Sequence, residues 1–347
     1  MIDRTMANFS AAVVPLKWVV DVIPSARHLP EWLPGMSFKA TAREWRKLNQ
    51  NICDIPFAFA MNKSAGDAAG GRSSYISTAT LEEGKTADTL SSSEKEDDVK
   101  YTAASIYAAG SDTTVSSLAS FFLAMIMFPE VQRTAQEEID AVVGSDRFPT
   151  IDDRERLPFV DALVKETHRW NPVLPMCMPH EVEEDMDYEG YAIPKGAYLL
   201  PAVWWFCHDP HTYASPDSFD PARYLEPRNE PDPKLVTFGF GRRRCPGRVM
   251  GDTAIYLNIV RTLSSFDIRR APDQGSADLR LETTAGAITH PNEFKYSIVP
   301  RSKQHEEAIR KAAASHGSEV SDAARLGPLD AGEDSPMGMS SHGEDAV

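Results

Sequence analysis

The stretch Phe238-Gly239-Phe240-Gly241-Arg242-Arg243-Arg244-Cys245-Pro246-Gly247 sets one cysteine behind a glycine turn, inside an arginine cluster and just ahead of an apolar helical run. Positive charge and a helix start both favour a deprotonated sulfur, so this cysteine reads as a metal ligand or a nucleophile. Taken alone, the three arginines also fit an anion patch or a targeting signal. The rest of the chain has the opposite charge. Its 347 residues carry 36 Lys+Arg against 51 Asp+Glu, a net charge of −15. That balance speaks against general nucleic-acid binding and for solubility. Hydrophobic residues make up 42%, enough for one large domain or two ordinary ones.

The four cysteines Cys53, Cys177, Cys207 and Cys245 form no C-x-x-C pair. They are expected to be reduced thiols facing the cytosol, not a disulfide framework or a structural zinc site. No apolar stretch reaches the ~20 residues a bilayer span needs, and no signal peptide is evident. Residues 1–34 are apolar but broken by Pro15, Pro24, Pro30 and Pro34. They read as a buried or loosely packed connector, with a dip into a membrane surface as the alternative.

Beyond this segment the pattern predicts a helix in 35–60 and a loop with at most one short helix over 64–98. A long helix is expected over 96–127, and a second is opened by Pro129 and capped at Gly144. A third spans 158–170 and stops before Pro172. Short strands and turns are expected around 188–191 and in 197–205, and an irregular Pro- and Asp-rich meander over 209–233. A helix is expected over 251–266 and a pair of strands in 278–300. Residues 302–347 hold no aromatic side chain and read as a mostly disordered tail.

Two further groups of residues carry chemistry. In mid-helix, Ala109-Gly110-Ser111-Asp112-Thr113-Thr114 gathers poor helix formers, which predicts a local distortion opening a groove. An acid beside a hydroxyl there is placed to relay protons. Small side chains packing on a neighbour explain the same residues. In Glu166-Thr167-His168-Arg169 the acid and the arginine are three apart and share a helix face. As an exposed pair they would contribute little.

The cysteine spacing F-x-x-G-x-R-x-C-x-G resembles the heme-binding loop of the cytochrome P450 family. Residues 109–114 are similar to that family's oxygen-activation motif, Glu166 to Arg169 to its E-x-x-R motif, and Pro221-Ala222-Arg223-Tyr224 to its P-x-R-F motif, with tyrosine where phenylalanine is usual. All four occur in the family's order over about residues 35–300. Ile193-Pro194-Lys195-Gly196 is similar in texture to the fungal secondary-metabolism branch.

The resemblance implies a mainly α fold with small β-sheets (α+β), a heme domain over 35–301, and a chain truncated ahead of Met1, without the family's membrane anchor and early helices. Cys245 is then the iron ligand, with Phe238, Gly239 and Gly247 shaping its loop and backbone N–H groups donating to the sulfur. Arg243 pairs with a heme propionate. His180 is a second propionate contact, or an ordinary polar residue. Ala109 and Gly110 face the heme, Thr113 hydrogen-bonds dioxygen, and Asp112 helps deliver protons. Glu166, Arg169 and Arg223 form a buried charge network behind the loop. The apolar Pro172-Val173-Leu174-Pro175-Met176 lines the substrate pocket.

The function so implied is a heme–thiolate monooxygenase acting on a lipophilic small molecule, a secondary metabolite. Its cofactor is heme b, and NADPH supplies electrons through NADPH–cytochrome P450 reductase. An intact member would sit on the cytosolic face of the endoplasmic reticulum membrane. The alternative is a truncated, non-catalytic fragment or heme-binding remnant. A zinc enzyme or a cysteine nucleophile finds no Cys/His partner at useful spacing.

Overall fold

The computed structural model describes residues 1–14, 16–66, 74–82, 92–272 and 279–315. Pro15, parts of the expected 64–98 loop and the tail from 316 lie outside the described residues. A first compact unit runs Met1–Ile309; of the second, Arg310–Val347, only the residues to Ser315 are described.

The expected connector at 1–34 contains regular structure. It holds α1 (Ile2–Ala12), α2 (Val19–Val22) and a 3-10 turn at Pro24–His28. Few of its side chains are buried, among them Met6, Ser10 and Ala26, while Leu16, Val22 and Trp32 are exposed. α3 (Phe38–Gly66) outruns its expected end and carries Pro56 inside it. α4 (Tyr75–Glu82) is the one short helix expected in the loop. Phe57 of α3, Ile76 of α4 and Val99 of the next helix form a small satellite cluster.

That next helix, α5 (Ser92–Met127), has 36 residues. At ~1.5 Å per residue it is about 54 Å long, enough to cross a domain. Its two halves differ. The first turns are charged, and the last turns bury Phe121, Leu123, Ala124 and Met125 almost completely. α6 (Pro129–Val142) opens on proline, where no N–H is needed, and buries Val131, Ala135 and Ile139 at helical spacing. Gly144 follows with φ +74, the left-handed geometry of a helix end. α7 (Pro158–Trp170) contributes Val160, Leu163 and Val164.

Past α7 the chain turns to short antiparallel pairs. β1 (His180–Glu181) is followed by the hairpin of β2 (Met186–Tyr188) and β3 (Tyr191–Ile193). Glu189 and Gly190 at its tip both have positive φ, as a type I′ turn requires. β4 (Tyr198–Leu199) pairs back to β1. The expected strand texture stops there. Residues 203–205 belong to α8 (Val203–His208), because Pro201 ends the strand and Val203 and Cys207, four apart, bury one helical face. The meander follows, then α9 (Lys234–Thr237) and α10 (Arg248–Ser265).

α10 packs Ile255, Tyr256, Ile259, Val260 and Leu263 against α5, α6 and α7. These side chains are the centre of the main core, each contributing about 1.5–3 kcal/mol by burial. The final strand pair is not contained in 278–300. β5 (Phe266–Arg270) leaves α10 directly and pairs with β6 (Tyr296–Pro300), while the described residues 279–295 offer only the bridge Thr283–Pro291. Gln132 of α6 covers the free side of β5: its amide donates to Ile268 O (2.9 Å) and accepts from Ile268 N (2.8 Å). The expected irregular tail from 302 begins instead with α11 (Lys303–Ser315), rich in Ala, Glu and Lys.

The result is mainly α with small antiparallel sheets, the class expected. No single described helix is long and apolar enough to cross a membrane; α5 and α6 pass that test only together, bent by 104° at their junction.

Candidate functional site

Cys245 lies two residues before the Gly247 N-cap of α10 and is partly exposed. Its own N–H donates to Phe238 O (2.8 Å), which closes the loop upon itself. Gly239 (φ +76) and Gly241 (φ +54) make this closure possible, since other residues rarely adopt such angles. A methyl at Gly247 would lie 3.9 Å from Cys245 Sγ, and one at Gly239 would lie 3.7 Å from Cys177 Sγ. The expected backbone donors to the sulfur are not found among the described residues; the Arg244 N–H goes to Gly241 O and the Cys245 N–H to Phe238 O. Gly247 offers no side-chain cap, so the positive end of α10 adjoins the thiol.

Arg242, Arg243 and Arg244 are exposed. Arg244 donates to Lys234 O (3.2 Å), whereas Arg242 and Arg243 have no carboxylate partner among the described residues. His180, half-buried, sits in β1 opposite Leu199.

Behind the loop is the buried charge network. Glu166, Arg169 and Arg223 are each 0% exposed. Arg169 grips Glu166 with Nε and Nη2, both at 2.8 Å. Arg223 Nε donates to the same carboxylate at 3.0 Å, as do Asp220 N (2.8 Å) and the Tyr224 hydroxyl (3.0 Å). The other guanidinium hydrogens reach Cys207 O, Ser218 O and Ala214 O, and Arg223 also pairs with Glu230 at 2.6 Å. The network therefore ties α7 to the meander. Tyr224, unusual for the motif, adds a donor to Glu166 that phenylalanine lacks. Burial first, and the Glu166 charge second, push the Tyr224 hydroxyl far above its ordinary pKa, so it stays a donor. Burial likewise pushes the Cys207 thiol up to about 12, against the pull of Arg169, and keeps it a neutral packing group.

A second buried group lies between this network and the loop. His168 meets the Phe238 ring edge-on (5.2 Å between centroids), and its Nε2, without a hydrogen-bond partner, stands 3.8 Å from Asp252. Asp252 also meets Arg154 (2.8 Å) and Lys234 (3.4 Å). Burial would raise the Asp252 pKa, but His168, Arg154 and Lys234 outweigh it and hold the carboxyl well below its usual range. Neither His168 nor Asp252 stands out in the sequence as more than a helix residue.

On α5 the expected distortion is absent: the helix runs unbroken through residues 109–114. The hydroxyls bond within it instead, Ser111 to Tyr107 O (2.6 Å) and Thr113 to Ala109 O (2.8 Å). Ala109 and Gly110 are exposed, and a methyl at Gly110 would meet nothing within 4 Å, so the helix opens onto free space there. Asp112 Oδ1 is 3.1 Å from His290 Nε2, a partner no motif points to.

The cytochrome P450 family model matches residues 31–298. The chain belongs to the cytochrome P450 family. Over 94% of its length it is 44% identical to a multifunctional cytochrome P450 monooxygenase of Aspergillus fumigatus, of which it covers 62%. A cytochrome P450 monooxygenase of Gibberella zeae is 43% identical over 94% of the chain and 62% of the relative. The O-methylsterigmatocystin oxidoreductase of Aspergillus flavus is 39% identical over 92% of the chain and 60% of the relative. The chain thus spans about three-fifths of the length of these relatives.

The cytochrome P450 cofactor is heme, and the residues present fit it. Among the described residues no cluster of His, Cys, Asp and Glu gathers to hold a bare ion. Cys245 is a lone soft donor, which suits an iron whose other ligands come from a macrocycle. Arg243, free of any carboxylate, suits a propionate. Exposed Val249 and Met250 on the first turn of α10 suit an apolar ring face.

Proposed function

We propose that this cytochrome P450 works as a heme–thiolate monooxygenase on a lipophilic small molecule of fungal secondary metabolism. The observation that carries the reading is Cys245: one partly exposed thiol in a self-closed loop beside the start of α10, with Arg242 and Arg243 free of carboxylates and no second metal ligand gathered around it among the described residues. Heme b, when bound, supplies the iron that activates dioxygen. Cys245 Sγ would ligate that iron, Phe238, Gly239 and Gly247 would shape the loop around the sulfur, and Arg243 and His180 would hold the propionates. Ala109 and Gly110 leave room on the distal side. Thr113, whose proton is engaged by Ala109 O, keeps lone pairs that can accept a hydrogen bond. Asp112 holds and moves a proton beside it. Glu166, Arg169 and Arg223 fix the loop from behind and touch no reacting atom.

NADPH would supply electrons through NADPH–cytochrome P450 reductase, whose docking is favoured by an exposed arginine face beside the thiolate. Names such as O-methylsterigmatocystin oxidoreductase among the relatives support a small-molecule substrate. The proposed location is the cytosolic face of the endoplasmic reticulum. A heme-binding chain without turnover is the second reading. It is favoured by the exposure of Ile106 (55%), on the same α5 face as Gly110 and Thr113, which leaves this side of α5 open to water. Reductase-driven NADPH oxidation by the heme-loaded chain separates the two. Sustained oxidation that disappears in Cys245→Ala supports the monooxygenase; heme uptake with no NADPH oxidation selects the second reading.

A further inference from the structure

Among the described residues, Asp112 and His290 have no charged partner besides each other. Asp112 comes from the middle of α5, and His290 from a turn 178 residues further on. We propose that His290 is a positioning residue that holds the Asp112 carboxylate in place for proton delivery, an inference that rests on the monooxygenase reading.

Three features give His290 a fixed location. Its backbone is clamped on both sides by Thr284: His290 N–H donates to Thr284 Oγ1 (3.0 Å), and Thr284 N–H donates to His290 O (2.8 Å). The preceding residue docks on α5 itself, where the buried Ser116 hydroxyl donates to Thr289 O (2.5 Å). Ser116 is four residues beyond Asp112, so the dock and the Asp112–His290 contact lie on one helix face, one turn apart. Thr289 N–H also donates to Val173 O (3.0 Å), which ties the same turn to the segment after α7. The imidazole is therefore carried by a turn stitched to α5 and to the 172–173 segment.

The pairing matters because of what else could hold Asp112. The Ser111 and Thr113 hydroxyls beside it are both spent on backbone carbonyls of α5. Without His290 the carboxylate has rotational freedom about its side-chain bonds and no fixed direction. With it, Oδ1 is engaged, and the carboxylate has no further partner among the described residues. Both groups are partly shielded, 16% exposed for Asp112 and 28% for His290, so solvent screens the pair only in part.

Two outcomes of electron uptake report on directed proton delivery without any substrate. When protons reach dioxygen efficiently, 2 NADPH + 2 H⁺ + O₂ give 2 NADP⁺ + 2 H₂O. When they do not, NADPH + H⁺ + O₂ give NADP⁺ + H₂O₂. The test uses the heme-loaded chain with reductase and NADPH, comparing wild type, His290→Leu and His290→Gln. Leucine removes the donor, and glutamine keeps one. The water-to-peroxide ratio is expected to fall about tenfold in His290→Leu, the scale on which such supporting contacts act, and to be largely restored in His290→Gln. The thiolate band of the ferrous–CO spectrum should be the same in all three. Unchanged ratios in His290→Leu overturn the proposal.

A second measurement needs no heme. Urea unfolding midpoints of Asp112→Ala, His290→Leu and the double variant should be non-additive, the double no lower than the lower single, since each removes the same pair. Additive midpoints overturn the pairing. A chain that takes no heme overturns the monooxygenase reading instead, and the unfolding cycle then decides the pairing by itself.

Discussion

Replacing Glu166 by glutamine removes the anion shared by two fully buried guanidinium groups. Arg169 would lose its one carboxylate and keep neutral acceptors, among them the carbonyls of Cys207 and Ser218, while Arg223 would keep Glu230. The new amide would also turn two hydrogens toward groups that are themselves donors: Arg169 Nε and the Tyr224 hydroxyl in one orientation, Arg169 Nη2, Arg223 Nε and Asp220 N–H in the other. Leaving a buried charge unpaired costs about 3–5 kcal/mol. At roughly 2 °C per kcal/mol for a large domain, the unfolding midpoint should fall by about 6–10 °C. Glu230→Gln is the control. It leaves Arg223 bound to Glu166, loosens a partly exposed carboxylate shared by Arg223 and Arg228, and should cost about 1.5–3 kcal/mol. Calorimetry or urea titration of the three proteins under one set of conditions reads both numbers. If Glu166→Gln stays within about 1 kcal/mol of wild type, or costs less than Glu230→Gln, the network is not the anchor between α7 and the meander.

Tyr224→Phe should lower stability by about 1.5 kcal/mol, one hydrogen bond to a charged acceptor, with the Cys245 loop and its heme spectrum unchanged; an unchanged urea midpoint would contradict this. Asp252 and Glu230 both have folded pKa values below their ordinary ones, in each case because cationic partners outweigh the effect of burial. Their stabilisation is therefore complete above the unfolded carboxylate range and is lost as pH falls through the folded values. The difference in urea midpoint between wild type and Asp252→Asn should hold steady from about pH 7 to 5 and shrink below about 4.5. A difference that grows on acidification would contradict the assignment.

Where proline or glycine marks a boundary, the sequence was readable almost to the residue. α7 begins at Pro158 and ends before Pro172, and the Glu189-Gly190 turn stands between β2 and β3. Pairings set by distant residues were not readable. β5 is contiguous with α10, so no turn residue announces it, and its partner β6 lies beyond a long insertion. The aromatic run 203–206 looks like a strand by residue preference, yet Pro201 and the Val203–Cys207 spacing make it α8. The tail was judged by its lack of aromatics, which hid the strong helix formers of α11. At the site, the motifs led to Cys245, Thr113 and the Glu166 network because each has a fixed local spacing. His290, His168 and Asp252 belong to no spacing. Only the packing of separate elements brings them to Asp112 and Phe238.

The unbroken α5 is also instructive. Ser111 and Thr113 were expected to weaken the helix, but bonding back to the preceding turn lets them stay inside it. The opening at Gly110 comes from a missing side chain, not from a bend.

The most direct test of the central claim is the ferrous–CO difference spectrum of the purified chain loaded with heme, measured beside Cys245→Ala. The account predicts the red-shifted Soret band of a thiolate-ligated heme in the wild type and its loss in the variant. Failure to take up heme, a histidine-type band, or a thiolate band that survives in Cys245→Ala would contradict it.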